Sequence, residues 1–310
     1  MNKEIVQLPP EGGVIVLDKP EGITSHEAVQ RARRLFGTKQ VGHTGTLDPL
    51  ATGVLCLLVG RAVKASEYSL AHRKSYEAVM RIGLQTDTGD ITGNVINTSD
   101  KVVPCDCVIN KVSGFCGNIM QLPPMYSALK VNGQKLCDVA REGGYIERSL
   151  RPVTVYSIEA EHISGNDYRI CTTVSSGTYI RTLCEDIGAA CGFCATMVSL
   201  RRTAGSGFDI SEALTLEGLE SMTPGERTGA LLPVERLFRD LPKITLPAFY
   251  ERLFRNGCEI YLKKIGVGSI PDGTLVRVYT SDNTFFAVGK IGTYENGTAV
   301  KSDKILRLTS

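Results

Sequence analysis

The 310-residue sequence has little net charge, no long apolar run and no recognisable export signal. Its 35 Lys and Arg against 33 Asp and Glu give a formal charge of +2, which by itself argues against a nucleic-acid binder covered in positive charge. The longest apolar stretch, residues 53–60, is far shorter than the roughly 18 residues of a membrane span. Residues 1–10 lack a basic start followed by an apolar stretch, so we expect a cytoplasmic protein without membrane contact.

Histidine is scarce, and the cysteines show no ligand pattern. The ten cysteines include one C-x-x-C pair, Cys191 and Cys194, and Cys56, Cys171 and Cys184 stand where a small apolar residue would. The four histidines, at positions 26, 43, 72 and 162, lack paired zinc-ligand spacing. Since disulfides are rare in the cytosol, we expect free thiols and no metal. A zinc or thiol-redox protein that uses Cys191 and Cys194 stays open as an alternative.

Local sequence patterns predict more strands than helices. Thr24 and Glu27 have capping-box spacing before a basic helix, and alternating polarity marks half-buried strands. The predicted strands are residues 14–17, 75–82, 152–163, 168–174 and 195–203; the predicted helices are 28–36, 61–70, 105–115 and 179–190; the predicted loops are 39–49 and 85–93. Because strands and helices do not strictly alternate, we predict an α+β fold with a mixed, mainly antiparallel sheet.

Composition divides the chain and spreads its charge unevenly. Residues 19–81 hold ten basic and five acidic residues, and residues 243–310 hold ten and six. Residues 203–239 are acidic, with six acids against three bases, and are predicted to form a connecting arm. The basic stretches are either solvated faces or a track for phosphates. From about residue 243 tight-turn sequences predict a small β-rich module.

The loop Gly42-His-Thr-Gly-Thr-Leu-Asp-Pro-Leu-Ala-Thr-Gly53 is the most informative stretch. Its glycines allow tight turns and close approach of another molecule. Asp48 precedes a proline and is therefore biased towards extended backbone. Its neighbours Leu47 and Leu50 are apolar, so an ionised carboxylate there needs a cation or hydrogen bonds. Taken alone, the pattern is also compatible with a simple Asp-Pro turn.

Five blocks in order resemble the TruB family of pseudouridine synthases, which act on tRNA in bacteria. The loop itself is joined by the opening Gly13-Val-Ile-Val-Leu-Asp-Lys-Pro-Glu-Gly-Ile-Thr-Ser25, by Lys74-Ser-Tyr76 with Gly83-Leu-Gln-Thr-Asp-Thr-Gly-Asp90, by Gln121-Leu-Pro-Pro-Met-Tyr-Ser-Ala-Leu-Lys130, and by Ser176-Gly-Thr-Tyr-Ile-Arg-Thr-Leu183 with Ser199-Leu-Arg-Arg202. The resemblance implies a catalytic domain over residues 1–240, with an RNA-clasping insertion at about 121–151 and the arm at about 203–240. Residues 241–310 resemble a PUA-like RNA-binding module.

The resemblance also implies roles for individual residues. Asp48 falls on the catalytic nucleophile, which attacks either the ribose or the uracil ring, and Arg181 falls on the arginine expected to pair with it. Tyr76 falls on the tyrosine that stacks on the target base and is also a candidate to help remove the ring proton. His43, Tyr179, Leu200, Lys64 and Lys19 complete the expected substrate-binding set.

The implied reaction converts uridine 55 in the T-loop of tRNA to pseudouridine on a flipped-out base. It requires no cofactor, metal or obligatory protein partner, and nothing in the sequence demands more than a monomer. A rival hypothesis is an RNA-binding protein that kept the fold and lost catalysis. The presence of Asp48, Tyr76 and Arg181 together favours the enzyme.

Overall fold

The computed structural model describes residues 8–71, 73–99, 101, 104–131 and 133–308. Residues 1–7, which make up most of the amino-terminal segment without an export signal, lie outside these ranges. His72 lies outside them too. None of the helices in the described ranges is both long enough and apolar enough to cross a membrane.

Within these ranges, ten strands form one large sheet. Its order is β14-β1-β3-β12-β4-β11-β10-β7, with β2 beside β3 and β13 beside β12. The pairs β1–β14 and β3–β12 are parallel and the other pairs are antiparallel, which confirms the predicted α+β class. The strands are β1 Gly13–Lys19, β2 Val41–His43, β3 Thr52–Val59, β4 Lys74–Ile82, β7 Gly117–Gln121, β10 Arg151–Ser164, β11 Asp167–Val174, β12 Ala195–Gly205, β13 Phe208–Asp209 and β14 Leu214–Thr215.

Two short hairpins and several helices surround this sheet. The predicted capping box is present, because Thr24 and Glu27 exchange hydrogen bonds, but the helix begins at Ser25, directly after Thr24, rather than at residue 28. The hairpin strands are β5 Leu84–Thr86 with β6 Val95–Thr98, and β8 Lys130–Val131 with β9 Gln134–Lys135. The helices are α1 Ser25–Leu35, α2 Cys105–Val112, α3 Leu136–Arg141, α4 Ile180–Ala190, α5 Leu216–Ser221, α6 Pro224–Gly229 and α7 Ala248–Arg255.

The central strands β1 and β3 are apolar on both faces because both faces of the sheet are covered. Leu55 and Leu57 of β3 face a core that includes residues of α1 and α4. The alternate residues Val54 and Cys56 face a second core on the other side. The period-two alternation of a strand thus sends neighbouring apolar residues into two different cores.

The carboxyl-terminal part forms a five-stranded sheet, as the tight-turn sequences predicted. Its order is β15-β17-β18-β19-β16, and a core that includes Phe254 and Phe286 lies within it. The core behind β1 and β3 is shared, because Tyr279, Phe285 and Leu306 of this part also belong to it. The strands are β15 Lys243–Thr245, β16 Ile260–Tyr261, β17 Leu275–Tyr279, β18 Phe285–Tyr294 and β19 Gly297–Ile305.

Several local predictions need correction. The predicted loop 85–93 begins within β5, because Gln85 and Thr86 pair with β6. The predicted loop 39–49 contains β2, which pairs with β3 as a short extra strand. The predicted helix at 61–70 is a 3₁₀ segment, Gly60–Ala71. Cys171 is exposed on β11 rather than packed in a core.

The acidic stretch predicted to be a connecting arm packs closely against the large sheet. Its strand β14 pairs in parallel with β1, and the side chains of Leu216 and Leu219 are buried in the main core. Val234 and Leu237 are buried in the shared core. Acidic residues cover the outer surface of this stretch, while its apolar residues hold it in place.

Candidate active site

Asp48 lies on the loop between β2 and β3, and the residue before it is clamped by a buried serine. The hydroxyl of Ser25 accepts a hydrogen bond from the Leu47 N–H at 2.8 Å and donates one to the Leu47 carbonyl at 3.0 Å. Ser25 is the first residue of α1, so the helix start fixes the loop. The Ala51 N–H donates to the Asp48 carbonyl at 3.1 Å and closes the turn.

The residue after Asp48 is held from the opposite side. The Gly22 N–H donates to the Pro49 carbonyl at 2.9 Å. The ammonium of Lys19 donates to the carbonyls of Pro20, Ile23 and Pro49 at 2.7, 2.8 and 3.3 Å. Lys19 is fully buried, and burial lowers its pKa to about 8. This lysine therefore supports the loop from beneath.

Arg202 of β12 anchors the first half of the loop. Its guanidinium donates to the carbonyls of Gly45 at 3.2 Å and Val54 at 2.6 Å. Gly53 allows β3 to approach closely, since its φ is +97° and a Cβ there would lie 2.2 Å from the Arg202 carbonyl oxygen. The loop that carries Asp48 is thus fixed at both ends by buried groups.

Arg181 lies in the first turn of α4 and is almost completely buried, with 5% of its side chain exposed. Its Nη1 donates to the Thr88 carbonyl at 2.9 Å and its Nη2 to the Tyr126 carbonyl at 2.7 Å. Nη2 also lies 2.9 Å from Oδ2 of Asp48. The closest contact joins one guanidinium nitrogen to one carboxylate oxygen, and two backbone carbonyls hold the guanidinium in place.

Asp90 is a second carboxylate beside Arg181, and it was not nominated from the sequence. Its Oδ2 lies 3.9 Å from Arg181 Nε. Its Oδ1 accepts hydrogen bonds from the Thr92 N–H at 3.0 Å and from the Thr88 hydroxyl at 3.1 Å. Its place at the end of the block at residues 83–90 was the available signal. Arg181 therefore lies between a buried carboxylate, Asp90, and a half-exposed one, Asp48.

A cleft of about 550 Å³ opens above this pair. Tyr76 of β4 and Leu200 of β12 contribute side chains that are each 8% exposed. Tyr179 precedes α4, and its backbone exchanges two hydrogen bonds with the side-chain amide of the buried Gln121, at 2.7 and 3.0 Å. The cleft thus brings together six of the eight residues nominated from the sequence, namely His43, Asp48, Tyr76, Tyr179, Arg181 and Leu200.

His43 ends β2 and is half-buried at the edge of the cleft. Burial lowers the pKa of its imidazole, and the positive charge of Arg202 lowers it further. Its Nδ1 is buried and has no hydrogen-bond partner among the described residues. His43 is accordingly neutral at neutral pH and contributes a flat uncharged ring to the cleft wall.

The two lysines nominated from the sequence lie elsewhere. Lys19 is beneath the loop, and Lys64 is exposed on the 3₁₀ segment without lining the cleft. A third lysine, Lys74, does line the cleft, where its ammonium donates to the Ser176 hydroxyl at 3.3 Å. Burial lowers the pKa of Lys74 to about 8, and nearby Arg202 acts in the same direction. Its place beside Tyr76 in the sequence was the available signal.

The two cysteines of the C-x-x-C pair, Cys191 and Cys194, do not line this cleft. Burial raises the pKa of Cys191 to about 11, helped by a hydrogen bond with Cys107, so its thiol remains protonated at neutral pH. Cys194 is half-buried. Within the residues that the structure describes, no three His, Cys, Asp or Glu side chains come together to hold a metal ion.

Comparison with known proteins decides the family. The model of the TruB family pseudouridylate synthase N-terminal domain matches residues 33–180, and that of the tRNA pseudouridylate synthase B C-terminal domain matches residues 181–239. The tRNA pseudouridine synthase B of Aromatoleum aromaticum is 45% identical over 79% of this chain and 80% of its own. The chain belongs to the TruB family. It is accordingly a pseudouridine synthase, an isomerase.

Other relatives extend the match over most of the chain. The tRNA pseudouridine synthase B of Burkholderia mallei is 42% identical over 90% of this chain and 92% of its own. The chain also resembles a solved Cbf5-Nop10-Gar1 complex, with a TM-score of 0.74, 29% identity, and coverage of 99% of this chain and 91% of the other. An archaeal Nop10-Cbf5 complex gives a TM-score of 0.72 at 28% identity, over 99% of this chain and 92% of the other. Because each of these matches covers 99% of this chain, both the large sheet and the carboxyl-terminal sheet take part in the similarity.

Proposed function

We propose that this pseudouridine synthase isomerises uridine 55 in the T-loop of tRNA, with Asp48 as nucleophile and without a cofactor. The observation that carries the proposal is the Asp48–Arg181 pair, at 2.9 Å, on the floor of the cleft. The named relatives are tRNA pseudouridine synthases, which supports tRNA as the substrate.

The reaction exchanges one bond for another within the same nucleotide. The carboxylate of Asp48 attacks the target nucleoside, and the bond from ribose C1′ to uracil N1 breaks. The uracil turns and a bond from C1′ to C5 forms, after which the C5 proton leaves and N1 takes up a proton. Asp48 is released unchanged at the end. Its half-exposed side chain meets the requirement that a nucleophile be reachable by the substrate.

Arg181 keeps the nucleophile in one orientation throughout these steps. Two backbone carbonyls accept hydrogen bonds from it and hold the guanidinium in position whether or not the Asp48 carboxylate is engaged with substrate. Such preorganisation costs no rearrangement at the moment of reaction. Asp90 offsets part of the buried positive charge.

The rest of the cleft suits an extruded base. A uridine inside a folded RNA loop is stacked, so an enzyme must flip it out to reach it. The cleft volume of about 550 Å³ is in the range of small-ligand sites. Tyr76 stacks on the base and Leu200 supplies an apolar wall, while the neutral ring of His43 and the side chain of Tyr179 contact the flanking RNA.

RNA outside the cleft is bound by exposed basic groups. We assign this role to Lys64, to the helix at residues 25–35 and to the insertion at about 121–151, within a catalytic domain of residues 1–240. Residues 241–310 act as a PUA-like module for further RNA contact. The protein works as a cytoplasmic monomer without an obligatory protein partner. Lys19, although nominated as a substrate ligand, acts through the loop that it supports.

The test is to map pseudouridine in an unmodified tRNA transcript incubated with the pure protein and no added metal. We expect modification at position 55 by the wild type. Asp48→Asn is expected to lower kcat by at least about 1000-fold while tRNA binding persists, because the fold does not need this charge. Substantial turnover by Asp48→Asn excludes the nucleophile, and binding without turnover by the wild type supports the rival RNA-binding protein.

A further inference from the structure

The 3₁₀ segment Gly60–Ala71 connects the cleft with the carboxyl-terminal sheet. On one side, Ser66 and Glu67 line the cleft that holds Asp48. On the other side, the segment touches β19, the last strand of the carboxyl-terminal sheet. A wall of the candidate active site therefore rests on the far end of the chain.

Three successive residues of β19 hold this segment. Lys304 Nζ lies 2.5 Å from Glu67 Oε1, and the neighbouring Asp303 carboxylate accepts a hydrogen bond from the Tyr68 hydroxyl. Arg61 Nη2 donates to the Ile305 carbonyl at 3.4 Å.

Packing in the shared core supports these polar contacts. The Tyr68 ring packs edge-on against Phe238, with 5.3 Å between centroids, and Phe238 in turn contacts Phe285 of β18. The apolar contacts join the segment to Phe238 and, through it, to β18, and the polar contacts join it to β19. The position of Glu67 therefore depends on the carboxyl-terminal sheet.

The sign of the charge at Glu67 makes this contact important for substrate. RNA carries one negative charge per phosphate, so a carboxylate on the wall of an RNA-binding cleft repels it. The Glu67 side chain is 56% exposed, and an isolated carboxylate there would present its full charge. The ammonium of Lys304 cancels that charge at contact distance.

We propose that Lys304 is a positioning residue for RNA, which by pairing with Glu67 neutralises the cleft wall and so sets the affinity of the active site for its substrate. The inference rests on the proposed function, and it assigns to the carboxyl-terminal strand a part in the cleft itself. Lys304 acts through Glu67 and needs no direct contact with RNA.

The experiment compares the dissociation constants of an unmodified tRNA transcript for matched variants at low ionic strength. Lys304→Ala is expected to weaken binding about fivefold, the scale of one uncompensated surface charge. The control is Lys301→Ala, which removes the same charge from the same strand; Lys301 is exposed and forms no ion pair within the described ranges. It is expected to stay within about twofold of wild type.

The double variant Glu67→Gln with Lys304→Ala separates neutralisation from direct contact. It removes both charges, so binding is expected to return to within about twofold of wild type. Raising the salt concentration is expected to bring Lys304→Ala towards Lys301→Ala, because exposed charges are screened. A purely structural role for Lys304 would leave the difference unchanged by salt.

The outcomes separate this inference from the proposed function. Equal affinities for Lys304→Ala and Lys301→Ala, with an active wild type, overturn the role of the ion pair alone. Failure of the double variant to recover also overturns it, since Lys304 would then touch RNA itself. A wild type that binds tRNA and forms no pseudouridine contradicts the proposed function. In that case the dissociation constants of the variants still test the role of the Lys304–Glu67 ion pair in RNA binding.

Discussion

The loop that carries Asp48 and the segment between β7 and β10 border the same candidate site, yet they are built in opposite ways. The loop is fixed by buried groups, among them Ser25, Lys19 and Arg202. The other segment is largely exposed, with 70% of Tyr145 and 56% of Leu150 accessible.

The two regions meet at Arg181. The exposed segment supplies the Tyr126 carbonyl to the guanidinium, which in turn contacts Asp48. The contrast shows that buried groups can hold one reactive side chain in place, whereas exposed side chains are suited to contact with a large RNA. Substitutions in the two regions should therefore separate kcat from substrate affinity.

The largest effect is expected for Arg181→Lys, which changes the guanidinium that contacts Asp48. A lysine cannot reach the carbonyls of Thr88 and Tyr126 together with Asp48, because it lacks the planar array of donors. We expect kcat to fall about 100-fold with tRNA affinity within about threefold of wild type. Single-turnover kinetics measure the first and equilibrium binding the second. A rate near that of wild type would rule out this pair as the device that orients the nucleophile.

The control for that substitution is Arg169→Lys. Arg169 pairs with Glu77 and Glu161 on the exposed face of β11, where the same chemical change should leave kcat within about twofold of wild type.

A smaller effect, on the KM for tRNA rather than on kcat, is expected in the exposed segment between β7 and β10. Lys135 and Arg141 are exposed, and they line a second cleft of about 580 Å³ that shares Asp48 and Arg181 with the first. Lys135→Ala with Arg141→Ala is expected to raise the KM for tRNA about tenfold and to flatten its salt dependence. The rate at saturating tRNA should not change. A lower saturated rate would show that the segment takes part in the chemistry.

The pH dependence should report on Lys74, which lies in the cleft between the two regions. Its pKa is lowered from 10.5 to about 8, so above pH 8 the folded protein loses a positive charge from the cleft. Between about pH 8 and 10.5 the unfolded chain binds more protons at this site, so this group makes the fold more stable as pH rises. A loss of activity in this pH range is therefore expected to come from weaker substrate binding and not from unfolding.

We expect the KM for tRNA to rise roughly threefold between pH 7 and 9 and to stay flat in Lys74→Met. Lys19, with a pKa also near 8, is unchanged in that variant. A rise that persists in Lys74→Met would accordingly belong to Lys19 or to the RNA, and would exclude Lys74.

The smallest effect is expected outside both regions, at the C-x-x-C pair. Cys191→Ser with Cys194→Ser should keep kcat/KM within about twofold of wild type, because the Cys191 thiol, with a pKa of about 11, stays protonated. Activity assays and the metal content of the purified protein check this. A folded but inactive double variant would revive the metal or redox hypothesis.

Much of the fold was predictable because its signals are local. The capping box at Thr24 and Glu27 needs only four residues, and the alternation that marks β4 lies within nine. The 85–93 loop was misjudged because the pairing of Gln85 and Thr86 depends on β6, a partner that composition does not reveal. The acidic stretch before residue 240 looked like an arm because its excess of acidic residues is visible in the sequence, whereas the burial of its apolar residues against the large sheet is not.

The residues of the candidate site were likewise predictable only in part. Asp48, Tyr76 and Arg181 were nominated from blocks of sequence, and their meeting depends on contacts between distant strands and helices. Asp90 was missed although it ends the block at residues 83–90, because its position beside Arg181 depends on the packing of that block against α4. Lys19 was expected to bind substrate, but its burial depends on the whole fold, and packing directs its ammonium to backbone carbonyls.

The core shared between the two sheets has a consequence for how the protein can be divided. Val14 and Val16 of the first strand pack in one cluster with Tyr279, Phe285 and Leu306. A protein shortened at residue 240 would lose these three residues and expose part of the shared core to water, so we expect it to aggregate. The first and last parts of the chain complete one apolar cluster, so that cluster can form only after Leu306 has been synthesised.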